Sequence, residues 1–434
     1  MTPMSSALLD ELRARGLIFQ VAGEEQLPGW LDGDSRTLYC GFDPSADSLH
    51  VGSLVPLLML RRFQLAGHKP IALVGQATAL IGDPSFKARE RQLNAPELIA
   101  DWGGRISDQI ARFIDVEAGP VGATVVNNLD WIQGLDVLTF LRDVGKHFSV
   151  NAMIQKESVK QRLARDGSGI SFTEFTYMIL QSYDFAELNR RYDCGLQLGG
   201  SDQWGNITGG IELTRRLHGR QVYGLTMPLI TKADGSKFGK TESGTVWLDP
   251  QRTSPYAFYQ YWLGVLDDDV YDYLNYFTFL PLAEIEALRR ADSERAGRPE
   301  AQAVLAREVT RLVHGREGLD AAQRITESLF RGNIGALGGD DLLQLRQDGL
   351  PATSLRRDAL PETLTQLLSD AGMAGSGKQV KDALGRGAVT VNDHPLSLQD
   401  NADVSASFAP ERALFGRFYL VRLGKKRYHL FEIT

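Results

Sequence analysis

The chain has 434 residues, and 47 Lys and Arg against 54 Asp and Glu give a formal net charge of −7 at pH 7. This acidic balance argues against broad nonspecific binding of nucleic acid. At about 100 to 200 residues per domain, the length predicts two to four domains. Two cysteines, Cys40 and Cys194, argue against a disulfide framework. With no secretory signal and no apolar run near the roughly 18 residues that cross a bilayer, we expect a soluble cytoplasmic protein.

Strand-like and helix-like segments alternate from about residue 33 to residue 245. Strands are predicted at 37–42, 70–74, 123–127, 196–198 and 225–230. Helices are predicted at 54–65, 96–114, 137–144, 173–188 and 206–217. This alternation predicts a parallel sheet wrapped by helices, with ligands at the carboxyl ends of the strands.

Two short segments are typical of phosphate handling. The first, residues 50–53 (His-Val-Gly-Ser), opens the helix predicted at 54–65, and free backbone N–H groups at a helix start favour negative charge. The second, residues 237–241 (Lys-Phe-Gly-Lys-Thr), follows a turn-forming stretch and sets two lysines around a glycine. Such a loop can close over phosphates and stabilise charge that develops during transfer. Each segment alone also fits an ordinary helix cap or a solvated turn.

A polar stripe runs along the helix predicted at 173–188. Tyr177, Gln181 and Asp184 share one helix face within an otherwise apolar stretch. Because a packed helix usually turns an apolar face inward, this stripe predicts a cavity lining. An exposed polar face is the alternative interpretation.

The second half of the chain has the pattern of helices followed by a small mixed module. Residues 250–314 are mostly helical in pattern, and the glycines of 331–340 suggest a linker. Helices are then predicted at 362–371 and 378–384, a strand at 388–391 and a turn at 392–393. Residues 372–379 are similar in sequence to a phosphate-binding loop. However, a helix is predicted before them, and Gln379 stands where such a loop needs Ser or Thr. A helix-to-helix turn is therefore expected there.

Six cations between residues 411 and 427 face one acid, which predicts a basic patch.

The two phosphate segments together resemble the signature sequences of class I aminoacyl-tRNA synthetases. The first ends in Ser53, where the family usually has histidine or asparagine, and the second has Phe238 and Gly239, where many members have methionine and serine. Segments 39–44, 177–184 and 199–206 extend the likeness over nearly the whole chain. By these motifs the chain resembles the bacterial tyrosyl-tRNA synthetases.

The resemblance implies an α/β fold in four parts. A Rossmann-like parallel-sheet catalytic domain would span 1–245, with an insertion for dimerisation at about 118–166. A helical anticodon-side domain would follow at 246–330 and a linker at 331–360. A small α+β RNA-binding domain, resembling that of small-subunit ribosomal protein four, would occupy 361–434.

The resemblance also implies roles for individual residues. Tyr39 and Asp184 would hydrogen-bond the hydroxyl of a substrate tyrosine, and Asp83, Tyr177 and Gln181 would hold its ammonium group. Gln203 would lie near the carboxylate, with Gln197 lining the same site. The residues implied for the nucleotide are Cys40, Asp43, His50, Gly52, Ser53 and Asp202. Those implied for the pyrophosphate are Lys87, Arg91, Lys237, Lys240 and Thr241.

The partners implied are L-tyrosine, ATP and tRNA(Tyr), with Mg²⁺ arriving on ATP and no protein-bound metal. A homodimer is expected, bridged by tRNA. The cations expected to meet tRNA are Arg417, Arg422, Lys425, Lys426 and Arg427. Three alternatives stay open: a tryptophanyl-tRNA synthetase, an RNA-binding regulator on the same fold, and a nucleotidylyltransferase that uses no tRNA.

Overall fold

The computed structural model describes residues 4–85, 93–163, 169–233, 238–241 and 244–434. These residues form two compact units. One comprises Met1–Leu248 and Leu266–Ala301, and the other comprises Asp249–Val265 and Gln302–Thr434. Three predicted site residues, Lys87, Arg91 and Lys237, lie outside the described ranges.

The strands, in chain order, are β1 (Gln20–Ala22), β2 (Thr37–Phe42), β3 (Lys69–Val74), β4 (Thr124–Asn127), β5 (Cys194–Gly200), β6 (Tyr223–Met227), β7 (Lys240–Thr241), β8 (Gly244–Thr245), β9 (Ala352–Leu355), β10 (Val389–Val391), β11 (His394–Leu396), β12 (Phe418–Leu423) and β13 (Arg427–Ile433).

The helices as far as residue 263 are α1 (Met4–Ala14), α2 (Leu27–Leu31), α3 (Leu54–Leu65), α4 (Gln76–Ile81), α5 (Pro96–Ile110), α6 (Leu129–Ile132), α7 (Val137–Thr139), α8 (Val150–Ile154), α9 (Glu157–Leu163), α10 (Phe172–Tyr192), α11 (Trp204–His218) and α12 (Pro255–Leu263). Those that follow are α13 (Asp267–Phe277), α14 (Leu282–Glu294), α15 (Ala301–Arg331), α16 (Gly339–Gln344), α17 (Leu364–Asp370), α18 (Gly377–Gly385) and α19 (Val404–Ser407).

The first unit is built on a six-stranded sheet with the order β1-β6-β5-β2-β3-β4. Its neighbours pair in parallel, except that β1 runs antiparallel to β6. The strands are short and largely buried, as expected when helices cover both faces of a parallel sheet. The predicted parallel α/β sheet is confirmed, and so are the bounds predicted for β2 and α3.

Several predicted elements have different ends, and two of them show the physical reason. The strand predicted at 225–230 runs instead from Tyr223 to Met227, because Pro228 cannot donate to the strand ladder. The helix predicted at 173–188 continues to Tyr192 and stops where Asp193 adopts a left-handed conformation, with φ of 51°. Ser171 caps its start by accepting a hydrogen bond from the Glu174 amide.

The compact units divide the chain differently from the boundary predicted at residue 245. Helices α13 and α14 belong to the first unit, although they follow that boundary. Arg15 and Arg62 fix this arrangement by donating to the backbone carbonyls of Leu280 and Thr278, over 2.7 and 2.5 Å, just after the end of α13. The C-terminal end of that helix is therefore held against α3 and the residue that follows α1.

The second unit combines α12 and α15 with a five-stranded sheet of order β11-β10-β12-β13-β9. Residues 331–360, predicted to be a linker, instead hold α16 and β9, and Leu342 and Leu345 are fully buried in a shared core. That core also contains Phe418 and Leu420 of β12. The helix pair α17 and α18 flanks residues 371–376, which confirms the helix-to-helix turn predicted there.

Candidate active site

A cavity of about 550 Å³ opens at the carboxyl ends of the central strands. Most of the sequence-predicted substrate residues line it, although they come from distant parts of the chain. The predicted residues that line it are Tyr39, Cys40, Asp43, His50, Gly52, Ser53, Asp83, Tyr177, Gln181, Asp184, Gln197, Asp202 and Gln203. The polar stripe of α10 therefore does line a cavity, and the exposed-face alternative is wrong.

Asp184 is a buried carboxylate that receives two hydrogen bonds from side chains. The Trp131 indole Nε1 donates to Oδ1 over 2.8 Å, and the Asn128 amide donates to Oδ2 over 3.1 Å. Asp184 is only 1% exposed, and burial raises its pKa to about 8, while the two donors oppose that rise. Burial also raises the pKa of Tyr39, and the negative charge of Asp184 raises it further.

Three buried polar atoms of the cavity wall have no hydrogen-bond partner among the described residues. They are the hydroxyl oxygen of Tyr39 and the Oε1 atoms of Gln181 and Gln197. Leaving a buried polar atom unpaired costs about 1–3 kcal/mol, so such atoms are usually satisfied by a ligand or by water. This end of the cavity is therefore built for a ligand with several polar groups.

Tyr177 and Asp43 contact each other directly. The Tyr177 hydroxyl donates to Asp43 Oδ2 over 2.7 Å, and the Thr78 hydroxyl donates to Asp43 Oδ1 over 2.8 Å. Burial first, and then the charge of Asp43, raises the pKa of Tyr177 well above its ordinary value, so its phenol stays protonated. The resemblance assigns Tyr177 to the substrate tyrosine and Asp43 to the nucleotide. In the structure, the two side chains are hydrogen-bonded to each other.

Gln203 joins the two carboxylates on the other wall. Its Nε2 atom donates to Asp83 over 2.9 Å and to Asp202 over 3.0 Å, while its Oε1 accepts from Asn206 over 3.1 Å. Cys40 is buried close to Asp202, and burial raises the pKa of its thiol to about 12. The Cys40 thiol is therefore neutral near neutral pH and can act only as a weak hydrogen-bonding group.

The two phosphate segments of the sequence pack against each other. Residue Gly52 donates its amide to His50 Nδ1 over 3.0 Å, which orients the imidazole. The Val51 amide donates to the Val246 carbonyl over 3.0 Å, so the chain after the second segment pairs with the first. At Gly239, where φ is 75°, a β carbon would lie 2.8 Å from the Val51 side chain. Only glycine fits such a close approach in a left-handed conformation.

Helix α13 holds the chain on both sides of residues 234–237. Before them, the Ala233 amide donates to Asp269 Oδ1 over 3.0 Å. After them, the Phe238 ring stacks on Phe277, with centroids 5.2 Å apart and planes 14° apart, and meets the edge of Tyr273. These contacts fix the positions of Ala233 and Phe238 against α13.

Lys240 lies in the short hairpin of β7 and β8 and is exposed to solvent, outside the set of residues that line the cavity. Its carbonyl accepts from the Lys232 ammonium over 3.5 Å. The backbone of Thr241 belongs to the same hairpin.

The basic patch predicted near the end of the chain is partly neutralised. Arg417 pairs with Glu432 over 3.2 Å, and the Arg427 guanidinium donates to the Met373 carbonyl over 2.7 Å. The predicted patch, residues 411–427, ends before Glu432, which lies in β13 opposite Phe418. Arg422, Lys425 and Lys426 make no ion pair with any residue in the described ranges.

Sequence reasoning missed the groups that hold the wall of the cavity in place. Asn128 and Trp131 position Asp184, and Thr78 positions Asp43. A signal was available for Asn128, because it directly follows a predicted strand at the sheet edge where ligands bind.

Two further findings concern metals and membranes. In the described ranges, no group of three or more His, Cys, Asp or Glu side chains is placed to hold a metal ion. No helix of the same ranges combines the length and the apolar character needed to span a membrane.

Comparison with known proteins assigns the chain to a family. A family model described as tRNA synthetases class I (W and Y) matches residues 32–331, and one described as a tyrosine–tRNA ligase SYY-like C-terminal domain matches residues 341–431. A tyrosine–tRNA ligase of Aliivibrio fischeri is 59% identical over 98% of this chain and 99% of its own length. The chain belongs to the tyrosine–tRNA ligases.

A further relative and one solved structure support the assignment to the tyrosine–tRNA ligases, and a second solved structure shows the fold alone. The enzyme of Klebsiella pneumoniae is 56% identical over 98% of each chain. A C-terminally truncated mitochondrial tyrosyl-tRNA synthetase of Aspergillus nidulans superposes with a TM-score of 0.67 at 29% identity, over 74% of this chain and 94% of its own. A tryptophanyl-tRNA synthetase of Encephalitozoon cuniculi shares the fold, at 14% identity and a TM-score of 0.53, over 79% of this chain and 95% of its own. The predicted family is confirmed, and the tryptophanyl alternative is not supported.

Proposed function

We propose that this tyrosine–tRNA ligase selects L-tyrosine through Asp184 and Tyr39, activates it with ATP and transfers it to tRNA(Tyr). The observation that carries the proposal is the buried carboxylate of Asp184 beside the unpartnered hydroxyl of Tyr39. A phenol hydroxyl that enters there can donate to the one and accept from the other. Phenylalanine would leave the Tyr39 hydroxyl unpaired and would give Asp184 no hydrogen bond beyond those from Trp131 and Asn128, which is costly in a buried site. Tyrosyl-tRNA synthetases are themselves the standard example of such hydroxyl selection, with a preference of about five powers of ten and no editing.

The amino and carboxyl groups of tyrosine would be held by a second set of residues that line the cavity. Asp83, Tyr177 and Gln181 would hold the ammonium group, and Gln203 would lie near the carboxylate, with Gln197 alongside. The unpartnered Oε1 atoms of Gln181 and Gln197 support this placement, because both are acceptors for ammonium or amide protons.

The nucleotide would occupy the side of the cavity formed by the first phosphate segment. His50 and Ser53 would contact the phosphates, Gly52 would lie under the adenine, and Cys40 and Asp202 would reach the ribose, with Asp43 close by. The tyrosine carboxylate would attack the α-phosphate, so that tyrosyl-adenylate forms and pyrophosphate leaves. Because a carboxylate is already a nucleophile, this step needs positioning and charge stabilisation rather than a general base.

The cations around the pyrophosphate complete the proposed activation step. Lys87, Arg91, Lys237, Lys240 and Thr241 would bind the leaving group, with Mg²⁺ arriving on ATP to neutralise phosphate charge. The exposed position of Lys240, in a hairpin that follows Phe238, is compatible with contact to a bound polyphosphate.

The second unit would bind tRNA through the domain that resembles that of ribosomal protein four. Its cations Arg422, Lys425 and Lys426, which form no ion pair within the described ranges, would meet backbone phosphates, and their contribution would fall as salt rises. Arg417 and Arg427 would contribute less, because each already has a partner within the chain.

A homodimer would form through the insertion at about 118–166. Several large apolar side chains around this insertion are exposed, and contiguous apolar surface of that kind marks an interface. They are Val137 (71% exposed), Leu138 (78%), Leu141 (53%), Val150 (57%) and Phe172 (76%).

The test of the proposed function is amino-acid-dependent exchange of labelled pyrophosphate into ATP. Tyrosine should support exchange, whereas phenylalanine and tryptophan should not. The variant Asp184→Asn should lose most of the exchange with tyrosine. Strong exchange with tryptophan, or none with any amino acid, would contradict the proposal.

A further inference from the structure

An exposed aromatic side chain lies at the junction between the helical part and the terminal sheet of the second unit. Phe330, the second-last residue of α15, is 90% exposed. The helix turns Ala322, Ile325 and Leu329 toward the core, and Phe330 lies off that stripe. A single exposed apolar side chain needs no explanation by itself. Whether Phe330 marks a binding site therefore depends on the residues around it.

The end of α15 contacts the two strands, β12 and β13, whose connecting turn holds Lys425 and Lys426. The Tyr428 hydroxyl donates to the Leu329 carbonyl over 2.9 Å, directly before Phe330. At Gly332, where φ is 74°, a β carbon would lie 2.8 Å from Arg422 Nη1. Tyr428 and Arg422 face each other across β12 and β13. Phe330 thus lies between two residues that contact the same cross-strand pair.

Charge distinguishes this ledge, defined as Phe330, Arg422, Lys425 and Lys426, from an ordinary surface. Lys425 and Lys426 are exposed in the turn that joins β12 to β13. In the part of the chain that the structure describes, none of the three cations of the ledge forms an ion pair. The nearest cation on α15, Arg331, is offset by Glu327 over 3.0 Å. The ledge therefore combines an exposed aromatic ring, two residues before the glycine that Arg422 approaches, with two exposed lysines in the turn that follows Arg422 along the chain.

We propose that this ledge binds an unpaired nucleotide of the tRNA. The base would stack on the Phe330 ring, and the flanking phosphates would contact Arg422, Lys425 and Lys426. Unpaired RNA bases are bound in this way, because every base has a face that can stack on an aromatic ring while cations follow the backbone. This inference rests on the proposed function, since it names the part of the second unit that contacts tRNA.

The stack and the phosphate contacts predict different responses to salt. The variant Phe330→Ala should weaken the binding of tRNA(Tyr) by about tenfold, and the slope of log Kd against log salt concentration should not change. Phe330→Trp should restore the affinity, because it restores a stacking face. The double variant Lys425→Ala/Lys426→Ala should instead lower the slope, by about 0.7 to 0.9 for each phosphate that the chain no longer neutralises.

Filter binding at several salt concentrations, with tRNA(Tyr) that the unchanged chain charges, measures both quantities. Phe19→Ala provides the matched control, because Phe19 is an exposed aromatic (60%) of the first unit and should be silent. Pyrophosphate exchange, which uses no tRNA, is measured in every variant to check that the first unit is folded, and the control Phe19→Ala should leave it unchanged. If the unchanged chain bound no tRNA, the proposed function itself would fail. Unaltered affinity in Phe330→Ala, or a change in its sedimentation that indicates contact with a second copy, would overturn the ledge alone.

Discussion

The indole of Trp131 donates a hydrogen bond to Oδ1 of Asp184 over 2.8 Å, inside a cavity wall where the carboxylate is almost fully buried. The Arg191 guanidinium lies over the same indole, 5.3 Å from its ring centroid. The acceptor that would select tyrosine is thus itself oriented by a residue from a different helix. Substitutions at this second residue test the geometry without removing the carboxylate.

Trp131→Phe should weaken tyrosine binding by about tenfold, since a hydrogen bond to a charged group contributes about 1.5–3 kcal/mol. The preference for tyrosine over phenylalanine should fall with it, because Asp184 would be less firmly positioned. Equilibrium dialysis with both amino acids measures the change. Trp30→Phe is the matched control, since Trp30 packs against Tyr223 with ring planes tilted by 42° and donates no hydrogen bond to Asp184. Equal losses in both variants would argue for a general effect on folding.

Binding of tyrosine should release a proton near pH 7. The pKa of Asp184, raised to about 8 by burial, keeps the free carboxyl largely protonated there. A phenol that donates to the carboxylate favours its charged form, so the pKa falls on binding and the proton leaves. Affinity for tyrosine should therefore rise with pH up to about 8 and then level off.

Titration calorimetry in two buffers of different ionisation enthalpy at pH 7 counts this proton. Nearly one proton should leave for each tyrosine bound, and none in the variant Asp184→Asn. Binding without proton release in the unchanged chain would mean that Asp184 stays neutral and donates to the phenol oxygen instead.

Phe277→Leu should slow adenylate formation by about tenfold while tyrosine affinity stays the same, since small displacements of catalytic groups cost rate rather than binding. The physical reason is the stack between Phe277 and Phe238, two residues before Lys240. Stopped-flow measurement of adenylate formation gives the rate. Phe63→Leu, a fully buried core change elsewhere in the first unit, should lower stability but keep the rate. A similar loss of rate in both would remove the case for α13 as a positioning helix.

Glu174→Ala should destabilise the first unit by about 3–5 kcal/mol, because it removes the carboxylate that pairs with a buried guanidinium. Arg162 and Glu174 form an ion pair over 2.9 Å, with side chains only 2% and 1% exposed. Thermal unfolding followed by circular dichroism should show the loss. The apolar double variant Arg162→Met/Glu174→Leu should recover much of it, and an equally unstable double variant would contradict the role assigned to charge burial.

Leu138→Glu should shift the chain toward a monomer, because a charge would enter the proposed apolar interface where Leu138 is 78% exposed. Sedimentation velocity over a range of concentrations measures the association state. Leu65→Glu is the control, since Leu65 is also exposed (62%) but lies outside the insertion. A dimer that survives Leu138→Glu unchanged would move the interface elsewhere.

Local patterns predicted the catalytic sheet well and its supporting contacts poorly. The bounds of β2 and α3 follow from a buried run and a leucine-rich run, both visible over a few residues. The hydrogen bonds from Asn128 and Trp131 to Asp184 join residues 56 and 53 positions apart. No local pattern encodes such pairs, so sequence placed Asp184 on the right helix face without revealing what orients it.

The linker predicted at residues 331–360 is a segment that local sequence described wrongly. Its glycines indicated irregular chain, yet Leu342 and Leu345 join a core with strands that follow more than 70 residues later. Glycine content describes backbone freedom, whereas burial of these leucines depends on the sheet that meets them. The family likeness supplied the substrate roles that neither periodicity nor composition could give.

The chain passes between the two units three times, after residues 248, 265 and 301. No single cut can therefore separate an intact catalytic half from an intact remainder. A break after residue 248 would strip away α13, which holds Phe238, while a break after residue 301 would leave α12 behind without α15. Exchange of the whole second unit between relatives would therefore need a joint at each of the three crossings.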